Sequence, residues 1–373
     1  MAQIGTIFVD ATHTAKTGAR TGAQTVVRGL LWGLRAHGID LQIKRWSKWR
    51  HNLLALNRKE RARLGLVQHI EGVRFEFPSG SWLVLPEIIY GKRARRVIDY
   101  ARRRKMRVAA IFHDAIPLSH PNLMRPDAVQ RHPEYMKALC RIDLVIAVSD
   151  SAEEQFRAFA QKHGQRLPQL TVCRLPGELV GKKRSAAKVV DFSGLVRILC
   201  VSTLDPRKNH QTLLEAFDLA CAAISNGAHL HLVGDRYKGA ESIVDLVNRA
   251  AARNRSVVWH GKVTDRQLSD FYRDCDFTVY PSLVEGFGLP IVESLWNRRP
   301  CICANFGEMA EIAKGGGCLT CDVRDPTQLS QAMIALVTQP ALRQKLTNDI
   351  ERRELRTWTD YAAEICENLE KAS

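Results

Sequence analysis

Short apolar runs, each bounded by Pro, Asp or Ser and followed by a stretch with helical period, recur along the whole chain. This rhythm constrains the fold more than any other feature. In the first half the runs are TIFVD (6–10), WLVL (82–85), VAAIF (108–112) and LVIAV (144–148). The second half repeats the pattern with ILCVS (198–202), LHLV (230–233), VVWH (257–260), FTVY (277–280) and CICA (301–304). Runs this uniformly apolar suit parallel strands covered on both faces. Between them, GAQTVVRGLLWGLRAHG (22–38), LLEAFDLACAAI (213–224) and ESIVDLVNRAAAR (241–253) place apolar residues on one helical stripe. Each half is therefore expected to be a doubly wound α/β domain, the two facing each other across a cleft at the carboxyl ends of their sheets. The charged, small-residue-rich stretch 181–194 marks the boundary. It divides the chain into a first domain over 1–190, a second over 191–355, and a last helix over 356–373 expected to pack back on the first.

Two domains also agree with a length of 373 residues. With 45% hydrophobic and 25% charged residues, the composition excludes a disordered chain. No run approaches the ~18 apolar residues of a membrane span, and MAQIGTIFVD lacks the pattern of a secretory signal. The ten cysteines are then expected to be reduced thiols in a cytoplasmic protein. Charge is less ordinary. Lys+Arg 55 against Asp+Glu 39 leaves +16, a field that attracts nucleic acid, anionic membrane or phosphorylated small molecules. The excess is concentrated at Lys92–Arg107 and Lys44–Arg63, each either a solvated face or a binding surface. The second mixes its cations with Trp46, Trp49, Leu53, Leu54 and Leu56, a combination suited to peripheral contact with an anionic membrane.

The sharpest motif is YPSLVEGFGLPIVESLWNRRP (280–300). A strand ends, Gly286, Phe287 and Gly288 make a turn, and a helix begins near Pro290, a residue suited to a first helical turn. The free N–H groups of such a turn suit an anion. Glu285 falls in the loop and Glu293 one turn into the helix. Upstream, VSTLDPRKNHQTLLEAF (201–217) is a strand-to-helix loop in which Arg207 and Lys208 could clamp a diphosphate, the first bidentately and the second as a point charge.

The EGFGLPIVE run resembles the glutamate motif of GT-B-fold, retaining glycosyltransferases of family 4, and the likeness extends over nearly the whole chain. It is closest between about 196 and 340 and looser before 105. The resemblance implies that Glu285 contacts the donor sugar, that Glu293 binds the nucleotide ribose, and that Gly286, Phe287, Gly288 and Leu289 line the donor site. It implies that Lys208 meets the donor diphosphate. The family's usual arginine five residues earlier is replaced by Thr203, leaving open whether Arg207 or the lysine alone supplies the second contact. This Pro-Arg-Lys-Asn variant resembles a polysaccharide mannosyltransferase-like branch. HGKVTDRQLSDFYRDCDFTVYPS (260–282) is similar to the family's base-binding segment, with Gly261, Lys262 and Val263 offering backbone groups. RTGAQTVVRGLL (20–31) resembles the glycine loop over the donor phosphates, with Gly22 at the matched position. IFHDAIPLSHP (111–121) places His113 toward the sugar, with Asp114 beside it. Ser149 matches a serine position that also suits a helix cap.

Together these imply transfer of a hexose, mannose on the Pro-Arg-Lys-Asn branch resemblance, from a nucleotide-sugar donor to a saccharide or lipid-linked hydroxyl in cell-surface polysaccharide assembly. No cofactor and no metal are expected. Asp274 and Asp276 imitate an Asp-x-Asp metal motif but straddle a helix end and a strand. Cys318 and Cys321 lack a partner set at zinc spacing, and His229 with His231 reads as packing on a strand. No Gly-Lys-Ser/Thr phosphate loop occurs. The alternatives are another GT-B enzyme, such as a nucleotide-sugar epimerase or phosphorylase, or a basic nucleic-acid-binding protein. The absence of helix-turn-helix and aromatic-basic RNA motifs argues against nucleic acid.

Overall fold

The computed structural model describes residues 5–18, 21–66, 77–184 and 194–373. The chain divides into two compact units, Met1–Pro176 with Arg356–Ser373, and Gly177–Leu355. The expected boundary at 190/191 lies outside the described residues.

In the first unit the strands are β1 (Ile7–Asp10), β2 (Leu41–Ser47), β3 (Asn52–Ala55), β4 (Trp82–Leu85), β5 (Arg107–Phe112), β6 (Leu144–Ala147) and β7 (Gln169–Val172). They pair in the order β3-β2-β1-β4-β5-β6-β7. All neighbours are parallel except the β2–β3 hairpin. The second unit holds β8 (Val196–Val201), β9 (Ala228–Val233), β10 (Val257–Trp259), β11 (Phe277–Tyr280), β12 (Cys301–Ala304) and β13 (Cys318–Cys321). Its order, β10-β9-β8-β11-β12-β13, is parallel throughout. Strand order reverses between β1 and β4 in one sheet and between β8 and β11 in the other. Crevices at such switch points are where open α/β sheets bind ligands.

The apolar runs give the strands that are buried at every residue, β1, β4, β6, β11 and β12. The strands that such runs do not announce are β2, β3, β7 and β13. They lie at or next to sheet edges; β3, β7 and β13 are partly solvated there, whereas β2 buries its polar Gln42, Lys44 and Ser47. The hairpin corrects the expectation for Lys44–Arg63. Trp46, Leu53, Leu56 and Lys44 are buried and Leu54 is half-buried, so of the apolar residues only Trp49, at the hairpin tip, is fully exposed at 95%. In the basic helix Lys92–Arg103, Val97, Ile98 and Tyr100 face inward while Lys92, Arg95, Arg96, Arg102 and Arg103 face solvent.

The chain's last helix, Trp358–Lys371, belongs to the first unit and packs on Gly22–Ala36. Two glycines permit that approach. A Cβ on Gly29 would sit 2.1 Å from the buried Trp358 ring, and one on Gly33 would sit 2.1 Å from the Trp358 carbonyl oxygen. Trp358 thereby fills a groove that any other residue at 29 would occupy.

Candidate functional site

At the β8/β11 switch point two loops of the second unit converge. The first leaves β8 through Ser202–Asp205 into a 3₁₀ turn, Pro206–Lys208. Asp205 is buried and caps that turn. Its Oδ1 accepts from the Arg207 backbone N–H at 3.0 Å, while its carboxylate takes the Arg207 guanidinium in a two-point bridge at 3.1 and 2.8 Å. Arg207 is thus held by its own turn, and Lys208 is presented beyond it. The second loop leaves β11 at Tyr280. The Leu283 N–H donates to the Arg207 carbonyl at 2.8 Å and ties the loops together.

Half-buried Lys208 and buried Glu285 meet there as an ion pair. Glu285 Oε1 accepts from the Tyr280 hydroxyl at 2.8 Å and also from Lys208 Nζ and Ser282 Oγ. Lys208 Nζ donates in addition to Tyr280 Oη at 2.9 Å. Burial alone would raise the Glu285 pKa. The charges of Lys208 and Arg207 and the hydrogen bonds from Lys208 and Ser282 outweigh it, so the net shift is downward and the group is ionised.

Glu293 has the opposite environment. It lies on the buried helix Leu289–Trp296, and its Oε2 accepts one hydrogen bond, from the Tyr272 hydroxyl at 3.0 Å. Burial raises its pKa to about 7, only partly offset by Tyr272. Two glutamates of one motif therefore sit in opposite environments, Glu285 held ionised by its cations and Glu293 pushed toward its neutral form by burial. Gly288, at φ 113°, begins the helix without a side-chain cap; Pro290 has no N–H and the Ile291 N–H donates to the Gly288 carbonyl at 3.0 Å, so the Gly288 and Leu289 N–H groups are the ones left for a ligand. Gly286, Phe287 and Leu289 are buried around it.

The remaining second-unit residues lie on neighbouring strand ends. Thr203 follows β8, half-buried. Gly261 and Val263 are half-buried after β10, with Lys262 exposed between them. The Gly234 N–H donates to the Gly261 carbonyl at 3.0 Å. Gly234 approaches the β8 loop so closely that a Cβ would lie 2.0 Å from the Ser202 carbonyl oxygen. Asp276 accepts from the Arg197 N–H at 2.7 Å and Asp274 pairs with Arg273, so the two serve separate structural contacts. Among the described residues no group of three or more His, Cys, Asp or Glu side chains could hold a metal ion.

Gly22 and His113 belong to the first unit. His113 follows β5, buried, with Nε2 donating to the Pro86 carbonyl at 2.9 Å. Burial is the main reason its pKa falls, ahead of the opposing Pro86 bond and Asp114. Gly22 opens its helix on the surface. Ser149 caps the helix Asp150–Lys162, its Oγ accepting from the Ala152 N–H at 3.1 Å. Motif reading passes over Asp205, Tyr272, Tyr280 and Ser282, which set the charge and orientation of the matched residues. It also passes over Glu87, which is buried and receives the N–H groups of His13 and Thr14 at 2.7 and 2.6 Å. Tyr280 and Ser282 lie in the quoted string itself, and a hydroxyl either side of the strand end was the available signal.

Two Rossmann-like parallel sheets in one chain define the GT-B architecture. Across 99% of this chain and 100% of the other, the fold matches the crystal structure of Anabaena Alr3699/HepE in complex with UDP and glucose, with TM-score 0.69 and 15% identity. Residues 182–353, within the second unit, match the family described as glycosyl transferases group 1. Low-identity relatives include the O-antigen chain mannosyltransferase B of Escherichia coli, 27% identical over 66% of this chain and 66% of that protein. The serotype-specific mannosyltransferase WbdA of Escherichia coli is 25% identical over 58% of this chain, a match spanning 28% of the relative's length. Among the described residues no helix is long and apolar enough to cross a membrane.

Proposed function

We propose that this protein is a retaining hexosyltransferase of family 4. It moves a hexose, with GDP-mannose as the leading donor, to a hydroxyl of a saccharide or lipid-linked acceptor in cell-surface polysaccharide assembly. The observation that carries this is the meeting of Lys208 and Glu285 from separate loops at the β8/β11 switch point, within the residues that match the group 1 family. Lys208 supplies a point charge for a diphosphate, and Glu285 an ionised acceptor for sugar hydroxyls. Without a ligand these groups satisfy each other. A donor diphosphate competes for the ammonium and turns Glu285 toward the sugar, while Tyr280 and Ser282 keep the carboxylate aimed. Arg207, fixed by Asp205, positions the lysine.

Bond breaking then places charge on the leaving diphosphate. Lys208 and the uncapped N–H groups at Gly288–Leu289 meet it as it develops. The same diphosphate accepts the proton of the incoming hydroxyl on the face it leaves, which preserves the anomeric configuration without a covalent enzyme intermediate. His113 hydrogen-bonds the sugar, Gly22 closes on the donor phosphates, Gly261–Val263 meet the base and Glu293 the ribose. The reaction needs no metal. The protein works in the cytoplasm, docking on an anionic membrane through Trp49 and the cations of Lys92–Arg103.

A thermal-shift screen against UDP-, GDP-, ADP- and dTDP-sugars tests the donor, because a ligand that binds only the folded state raises its stability by about 2.7 kcal/mol at a hundred times Kd. Stabilisation by no sugar nucleotide would overturn the proposal. With the binding donor in hand, NMR of the product anomer decides retention, and an inverted product would sink that part alone.

A further inference from the structure

The first unit gathers cations at the carboxyl end of its own sheet. Lys16 lies in the last turn of the helix Thr12–Thr17, Arg45 on β2, Lys48 in the hairpin turn, and Arg93 at the start of the helix Lys92–Arg103. The frame holding them is well fixed. Arg93 bridges the buried Asp10 at 2.7 Å, and Arg45 bridges Glu60 at 3.0 Å. The Trp46 N–H donates to Thr12 Oγ1 at 2.6 Å, and Arg63 donates to the Ala15 carbonyl at 3.1 Å, which locks the end of Lys16's helix. Both carboxylates are committed to an arginine and a backbone N–H, Asp10 to Thr12 and Glu60 to Asn57. Lys16 and Lys48 have no ion-pair partner among the described residues.

Four cations against the carboxylates of Asp10, Glu60 and the nearby Glu87, whose pKa burial raises, leave an excess of positive charge at the β1/β4 switch point. The crowding is felt at Lys16, whose pKa is lowered first by burial and then by Arg45, Arg93 and Lys48, with only Glu60 opposing. Like charges assembled on a rigid frame are unfavourable by themselves, and a multivalent anion meeting several at once relieves the repulsion. The arginines offer directed forks and the lysines adaptable point charges, a mixture that suits phosphate oxygens.

We propose that Lys16, Arg45, Lys48 and Arg93 form an anion site on the first unit that binds a phosphate or diphosphate group of the acceptor. The acceptor role rests on the transferase function proposed above, whereas the anion site stands on the first unit alone. Its phosphate comes from a lipid-linked diphosphate or from a soluble phosphorylated saccharide. Trp49, exposed next to Lys48, would lie against the tail of the former.

Isothermal titration with inorganic pyrophosphate tests the site in Lys208→Ala protein, where the donor clamp is removed. Adding Lys16→Ala and Lys48→Ala to that protein is expected to weaken pyrophosphate binding roughly 10- to 100-fold, the range for lost charge-assisted hydrogen bonds. Pyrophosphate binding that is absent from Lys208→Ala, or that is unchanged by the two added substitutions, would overturn the proposal. Nucleoside diphosphate binding to the protein with Lys208 intact, with and without the Lys16 and Lys48 substitutions, is expected to be equal and serves as the folding control. If nucleoside diphosphates bind neither while the pyrophosphate effect persists, the transferase proposal fails and the anion site stands. Geranyl diphosphate binding more tightly than pyrophosphate, with the gain lost in Trp49→Ala, assigns the lipid-linked source; equal affinity assigns the soluble one.

Discussion

Replacing Glu293 with glutamine should stabilise the protein in alkaline but not in acidic solution. The carboxyl is buried on the helix Leu289–Trp296 with one hydrogen-bond donor, Tyr272, at 3.0 Å, and its pKa rises from 4.5 to about 7. A raised pKa means that the folded state binds the proton more tightly than the unfolded chain. The resulting stabilisation is complete below about 4.5 and is lost as the pH climbs through about 7. At about 1.36 kcal/mol per pH unit, the difference between those values corresponds to about 3 kcal/mol lost by the wild type. Glutamine does not titrate and can still accept from Tyr272, so Glu293→Gln escapes the loss. Urea denaturation of both proteins at pH 4 and pH 8.5 measures it. The stability of Glu293→Gln relative to wild type is expected to increase by about 3 kcal/mol between those conditions. A relative stability independent of pH would show that Glu293 is not a desolvated acid. The same substitution should weaken nucleoside diphosphate binding, the separation of stability from function expected of a residue retained for a ligand.

Glu285→Gln should act mainly on kcat, by roughly 30- to 1,000-fold, since about 2–4 kcal/mol of charge-dependent stabilisation is lost as the sugar bond breaks. Glu293→Gln should act mainly on KM, and kinetics showing the reverse split would refute the role assignment. Gly29→Ala should destabilise the first unit by about 1–3 kcal/mol or more through overpacking against Trp358, so an unchanged melting temperature would contradict the packing. Transfer activity should survive EDTA, and loss restored by magnesium or manganese would refute metal independence. Co-sedimentation with anionic liposomes should be lost at high salt and weakened in Trp49→Ala, whereas equal binding to neutral liposomes would count against membrane docking.

Much of this protein is written locally. An interior strand covered on both faces is apolar at nearly every position, Asp10 of β1 and Thr278 of β11 being buried exceptions, so β1, β4, β6, β11 and β12 can be read from a few consecutive residues. The turn from β11 into its helix is equally local, because Gly288 and Pro290 impose it on their own neighbours. Trp46 and Trp49 stand three residues apart in one basic run, yet one is buried and the other 95% exposed. That difference arises because β2 pairs with β3 and packs inward while its turn projects outward. Arg207 and Lys208 are adjacent cations of equal promise; the first is committed locally to Asp205, two residues back, and only the sheet commits the second to Glu285. Lys208 and Glu285 themselves meet because β8 and β11 become neighbours in the sheet, across a long intervening stretch of chain. Ionisation is the least local property of all. Glu285 and Glu293 belong to one motif, but a buried carboxyl takes its charge from the surrounding field. For Glu285 that field contains Lys208 and Arg207, whereas for Glu293 it contains burial and a single tyrosine hydroxyl.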